Sequence, residues 1–283
     1  MRARQVLRQH GAYRDDIGDL TTRRPVPGPG IDHLDPFLFL NHHGPQVYPP
    51  DNRGLPFGPH PHRGFETVTF ILDGELAHRD SGGHESVIRA GGVQWMTAGS
   101  GLVHAELSLK SFMETGGPLE ILQLWVNLPA RLKMTAPAYT GLDAADIPVV
   151  EAADGKAEVQ VISGEFSGAA GPFQSLTGLQ MMVVKLAPGA ALDFPAPAGR
   201  TVFLYVVKGT PAVSGTPVAE HSLVALGEGD TVSLSADGEA TLLFGHGEPF
   251  REPIVAHGPF VMNSREEIAQ AVRDFQSGRL GAL

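Results

Sequence analysis

Apolar residues run along the chain in short blocks, among them Thr67 to Leu72, Ile121 to Val126, Met181 to Leu186 and Val202 to Val207. Each block is bounded by Gly, Pro, Asp or Asn. Runs of this length, rich in Val, Ile, Leu and Phe, predict buried strands of a sandwich or barrel rather than helices. The C-terminus departs from the pattern. Ser264-Arg-Glu-Glu267 has the form of a capping box, Ile268, Val272 and Phe275 fall on one helical face, and Gly278 stands where a helix can stop. One helix is therefore predicted over about residues 265 to 277.

The blocks are organised as a repeat. Phe70-Ile-Leu-Asp-Gly74 lies over Tyr205-Val-Val-Lys-Gly209, and Gly64 precedes Gly74 by the same interval as Gly199 precedes Gly209. Downstream, Arg89-Ala-Gly-Gly92-Val resembles Leu226-Gly-Glu-Gly229-Asp-Thr-Val, each reading as a glycine turn that launches a strand. Two long copies point to a duplicated barrel, because a solenoid needs more and shorter units. Pro137, Gly141, Asp143 and Pro148 interrupt the apolar runs and place the boundary near residues 135 to 150. The expected division is residues 1–135 and 136–283, with the helix in the second part.

Composition narrows the partners. With 35 Gly and 23 Pro the chain has turn formers for many tight corners, and its net charge of -10 opposes attraction to phosphate backbones or anionic membranes. Direct nucleic-acid binding is not expected. The basic start, Met-Arg-Ala-Arg, has no apolar stretch after it, and no later segment is long and apolar enough to span a bilayer, so a soluble cytoplasmic protein is the expectation. With no cysteines, any metal must be held by His and carboxylates.

Such residues cluster at two places. In Gly54-Leu-Pro-Phe-Gly-Pro-His60-Pro-His62-Arg-Gly-Phe-Glu66, alternate side chains of an extended strand share a face, so His60 and His62 can meet one ion. Gly99-Ser-Gly-Leu-Val-His104-Ala-Glu106 repeats that spacing with an imidazole and a carboxylate. Together they offer three nitrogens and one oxygen, a set suited to Fe(II), Mn, Ni, Cu or Zn and unlike the all-oxygen shell of Ca or Mg. A lone histidine is better read as structural or surface, and His33, His42, His43, His78, His84, His221, His246 and His257 are so assigned. The repeat supplies a control. His60 and His62 fall on Pro195 and Pro197, while His104 and Glu106 fall on Thr241 and Leu243, so the second copy is expected to hold no metal.

Gly-x5-His-x-His-x3-Glu followed by a strand and Gly74 resembles the first cupin motif, with Gly74 one residue late, so that Thr67 rather than Glu66 takes the usual carboxylate slot. The second motif reads Gly-x6-Gly-x-Gly-x2-His-x-Glu and lacks the usual Pro and Asn. A carboxylate missing from the first strand and present at Glu106 resembles the pirin family. His60 to Thr69, His78-Arg-Asp-Ser81, Val93 to Gly99, Leu122 to Pro129 and Gly258 to Asn263 all resemble pirin segments, as does Phe37 to Pro45, with Asn41 where the family often has Asp. The resemblance implies an all-β monomer of two tandem cupin barrels, double-stranded β-helices of jelly-roll type, with a short C-terminal helix. It implies one divalent metal, Fe(II) first, in the N-terminal barrel, held by His60, His62, His104 and Glu106.

Two functions follow from that resemblance. One is a dioxygenase of the quercetin 2,3-dioxygenase type, in which a flavonol-like aromatic substrate meets the metal, Glu106 takes its proton and O2 attacks. Glu106 suits the role because a carboxylate can accept a proton where a metal-bound imidazole cannot readily do so. The other is a metal-dependent regulatory protein that binds a protein partner, as a transcriptional co-regulator or a modulator of a metabolic enzyme, without turnover.

Overall fold

In the computed structural model, which describes residues 2–283, each predicted block lies within a strand that extends it by up to four residues at an end. Thr67 to Leu72 lies within Phe65–Asp73, Ile121 to Val126 within Gly117–Asn127, Met181 to Leu186 within Gln180–Leu186 and Val202 to Val207 within Thr201–Lys208. The helix spans Arg265–Gln276, capped by Ser264, whose side chain accepts from the Glu267 amide. Its inner face differs from the expected stripe. Ile268, Ala271 and Asp274 are buried while Phe275 is 40% exposed, because the Arg63 guanidinium draws Asp274 inward. A short helix at Lys110–Thr115 was not signalled by any apolar period.

Both halves are cupin barrels, each a seven-stranded sheet facing a four-stranded one. In the first barrel the four-stranded sheet runs Phe57–His62, Leu102–Leu107, Glu75–Asp80, Glu85–Arg89. Opposite it, Val93–Thr97, Phe65–Asp73, Gly117–Asn127 and Phe37–Tyr48 are adjacent in the large sheet. In the second barrel, Thr201–Lys208, Ala240–Gly247 and Gln180–Leu186 form the middle of the large sheet, and Ala190–Pro195 pairs with Thr231–Ala236 in the small one. Its interior is an unbroken apolar cluster that includes Phe194, Leu204, Val206, Leu242 and Phe244.

The repeat has a structural cause. Gly74 and Gly209 both have positive φ, and a Cβ on either would strike a backbone carbonyl, Pro118 at 2.6 Å or Glu239 at 2.2 Å, so the same hairpin corner excludes side chains in both copies. Strand pairing also corrects the alignment of the second motif. Thr241 and Leu243 lie in Ala240–Gly247, the counterpart of Gly117–Asn127, whereas Pro195 faces Thr231 as His60 faces His104. At these paired strands the side chains that enter the second interior are Phe194, Ala196, Val232 and Leu234, all apolar.

Chain order and packing do not coincide. The compact unit containing the first barrel takes in Phe250–Leu283, and the other unit takes in the segment ending at Tyr13, where Val6–Gly11 pairs with Ser222–Leu226. Among the described residues, no helix is long and apolar enough to cross a membrane.

Candidate metal centre

His60 and His62 lie on Phe57–His62, and His104 and Glu106 on the adjacent antiparallel Leu102–Leu107. Period-two alternation turns all four inward and leaves Val103 outward. One potential ligand atom from each of His60, His62 and His104 lies within 4.8 Å of the others. Ring centroids are 4.8 Å apart for His60 and His62, 4.3 Å for His60 and His104, and 4.9 Å for His62 and His104. Three imidazoles from two strands therefore converge on one point.

Backbone carbonyls choose the tautomers. His60 Nδ1 lies 2.8 Å from the Gly58 carbonyl and His62 Nδ1 lies 3.2 Å from that of Pro259. A carbonyl only accepts, so each Nδ1 carries the hydrogen and each Nε2 keeps its lone pair, as in histidines that bind a metal. Between His104 and Glu106 the register slips. His104 faces His60 but Glu106 faces Phe57, so the His60 strand carries one extra residue, a bulge that holds Gly58.

His104 tests whether a metal fits. Both of its ring nitrogens are buried without a hydrogen-bond partner. A buried imidazole left so costs on the order of 1 to 3 kcal/mol, which coordination would recover. Burial, then the neighbouring imidazoles, hold His104 well below its ordinary pKa. Burial and then His60 push His62 down to about 3, against the bond to Pro259. These two rings are neutral at pH 7, the form a metal requires. The triad is a candidate divalent-metal site.

Glu106 stands beside this cluster rather than within its 4.8 Å set. Its Oε1 accepts from Thr69 Oγ1 at 3.2 Å and its Oε2 from Gln123 Nε2 at 2.6 Å. Thr69 and Gln123 face each other across two strands of the large sheet, so that sheet grips a carboxylate borne by the small one. Glu66 lies on the opposite face of its strand from Thr69, with Oε1 bonded to Thr97 Oγ1 at 2.6 Å, and so takes no part in the centre.

His78 and Asp80 were absent from the predicted set. They lie on Glu75–Asp80, opposite Glu106 and His104 respectively, and are 3% exposed. His78 Nε2 donates to Asp80 Oδ2 at 3.0 Å, and its ring stacks on Tyr139 with centroids 3.9 Å apart. Tyr139 in turn hydrogen-bonds Ser86. The signal was present, since His78-x-Asp80 repeats the alternate spacing of the other two pairs. A cleft of about 360 Å³ lined by Lys156, Lys185 and Lys208 contains none of these residues, so cavity volume does not locate the chemistry.

Residues 19–126 match the Pirin family model and residues 181–281 match the model of the Pirin C-terminal cupin domain. The chain belongs to the pirin family. A pirin-like protein of Caulobacter vibrioides is 41% identical over 99% of this chain and 100% of its own. A Pseudomonas aeruginosa protein named as a candidate quercetin 2,3-dioxygenase is 45% identical over 87% of each chain. Among solved structures, a quercetin 2,3-dioxygenase of Acinetobacter baumannii superposes with a TM-score of 0.93 at 35% identity, covering 99% of both chains. Within this pirin, the histidine cluster belongs to the N-terminal barrel, while the interior positions of the paired strands in the C-terminal barrel carry Phe194, Ala196, Val232 and Leu234.

Proposed function

We propose that this pirin is a metal-dependent dioxygenase acting on flavonol-like substrates, with His60, His62 and His104 holding one divalent ion and Glu106 serving as ligand and base. The observation that carries the reading is the pair of orphaned nitrogens on buried His104, set among two imidazoles whose tautomers are already chosen. The names of the Pseudomonas and Acinetobacter relatives support the substrate class. Fe(II) is the first choice of metal, and Mn, Ni, Cu and Zn suit the same donors.

When bound, the ion supplies a Lewis acid and a template for substrate and O2. The chain's own residues do the rest. Glu106 takes the flavonol hydroxyl proton onto a carboxylate oxygen, and Thr69 and Gln123 keep that carboxylate in place before and after the transfer. His62 is packed edge-on against Phe65 and Trp125, at 5.0 and 5.3 Å between centroids, which keeps water from that side of the ring.

The test is aerobic loss of quercetin absorbance by protein loaded in turn with Fe(II), Mn, Ni, Cu and Zn, beside a His62→Ala variant. Turnover that disappears with His62 supports the enzyme. A wild-type protein that binds metal yet turns over no flavonol with any of the five ions overturns it and favours the regulatory role.

A further inference from the structure

Residues after Phe250 belong to the same compact unit as the first barrel, although they follow the whole of the second barrel in sequence. They touch all three strands around the histidine cluster. The Pro259 carbonyl receives His62 Nδ1, Arg63 and Phe260 form a parallel bridge, and the Val261 amide donates to the Arg63 carbonyl at 3.1 Å. Val103, on the outer face beside His104, packs in one cluster with Phe260, Met262, Ile268, Ala271 and Leu280. Ser81, next to Asp80, donates to the Leu280 carbonyl at 2.8 Å.

Arg63 is the joint. His62 points into the barrel, so Arg63 points out, where Nη1 donates to Asp274 Oδ2 at 2.9 Å and Nε to the Ser100 carbonyl at 2.7 Å. The pair is almost dry, with side chains 6% and 11% exposed. Asp274 Oδ1 is taken by Gln270 and Arg279. Lys133 Nζ closes the joint from the other side, bonding the carbonyls of Gly64 and Val261 at 2.9 and 3.0 Å.

The repeat again supplies a control. A Cβ on Gly64 would lie 2.0 Å from the Val261 carbonyl, whereas a Cβ on its counterpart Gly199 would meet nothing within 4 Å. At this glycine, close approach of another segment is found in the copy that carries the histidines and not in the other.

We infer that the C-terminal segment is a strap that sets the orientation of His62, and that Asp274 is a positioning residue for the metal centre, acting through Arg63 and the strap. This rests on the metal reading of the histidine cluster. Loss of the Asp274 charge leaves Arg63 buried and unpaired, and its relaxation moves both the backbone that bears His62 and the carbonyl that holds His62 in its ligating tautomer. Partners of this outer kind are worth about 10- to 100-fold in metal affinity.

The test is titration of Co(II) into metal-free full-length protein, read by affinity and by the visible ligand-field spectrum. The proteins are wild type, Asp274→Asn, Arg63→Lys and His62→Ala. Asp274→Asn is expected to bind Co(II) about 10- to 100-fold more weakly with an altered spectrum and unchanged circular dichroism. Should that variant not fold, Arg63→Lys, which keeps the charge but not the fork, decides by the same two readouts. Wild-type affinity and spectrum in the folded strap variants, with binding lost in His62→Ala, discard the strap and leave the metal reading standing. A wild-type protein that takes up no Co(II) removes the metal reading, and the strap with it.

Discussion

Gln123 donates its side-chain amide to Glu106 over 2.6 Å, from the strand position facing Thr69, which holds the other carboxylate oxygen. The two donors place Glu106 and stand outside the histidine cluster. Gln123→Leu is therefore expected to lower flavonol turnover by about 100-fold, the scale of an ångström-sized misplacement, while metal affinity falls by less than about tenfold. Steady-state kinetics beside a metal titration separates the two. Equal losses in both would make Gln123 part of the metal's own shell and contradict the assignment.

Gly64 and Gly199 occupy the same place in the two repeats and have φ of 88° and 82°. Alanine at either pays about 1 to 2 kcal/mol for the left-handed backbone. At Gly64 it also meets the Val261 carbonyl at 2.0 Å, which adds an overpacking cost of about 1 to 3 kcal/mol. Denaturant midpoints should rank wild type above Gly199→Ala and Gly199→Ala above Gly64→Ala. Similar losses in the two variants would mean that the strap yields freely.

Those two glycines also mark how far the sequence could be read. Strands, capped helix and duplication were legible because each is written locally, in apolar blocks bounded by turn residues and in the recurring Gly74 and Gly209 corner. The histidine triad was legible because alternate spacing on a strand leaves side chains on one face. Thr69, Gln123 and Pro259 were not, since a threonine, a glutamine and a backbone carbonyl carry no chemistry until strand register and the returning C-terminal segment bring them to Glu106 and His62. The partners of His78 were hidden for a different reason. Taken singly His78 read as structural, and its pairing with Asp80 became visible only once strand register set both opposite Glu106 and His104.

Glu66 makes the first barrel sensitive to pH. Burial raises its pKa to about 6 from the ordinary 4.5, outweighing the bonds from Thr97 and Trp95. A raised carboxyl pKa means that the folded state holds the extra proton, so stability is lost as pH rises from about 4.5 to about 6 and stays lost above that. Glu66→Gln, which can still accept from Thr97, should stabilise by about 2 kcal/mol at pH 7 and by nearly nothing at pH 4. Both tryptophans, Trp95 and Trp125, lie in this barrel, so their fluorescence in denaturant reports it. A variant no more stable than wild type at pH 7 would show that Glu66 ionises without penalty.

His246 gives the second barrel the opposite response. Its Nδ1 accepts from Arg200 Nε at 2.8 Å, so protonation there would break that bond and set two cations against each other in a site 6% exposed. Burial first, then Arg200 and Arg4, hold its pKa down to about 4 against the ordinary 6.5. The unfolded chain takes up this proton before the folded one, so stability is full above pH 6.5 and is lost as pH falls to about 4. The loss amounts to about 3 kcal/mol. His246→Gln, whose side-chain oxygen can accept from Arg200, should remove that share of the acid-limb loss, leaving the shares of His62 and His104, with Glu66 sloping the other way. Scanning calorimetry from pH 4 to 7 on wild type and variant checks it. An acid limb as steep in the variant as in wild type would show that His246 is already protonated in the fold.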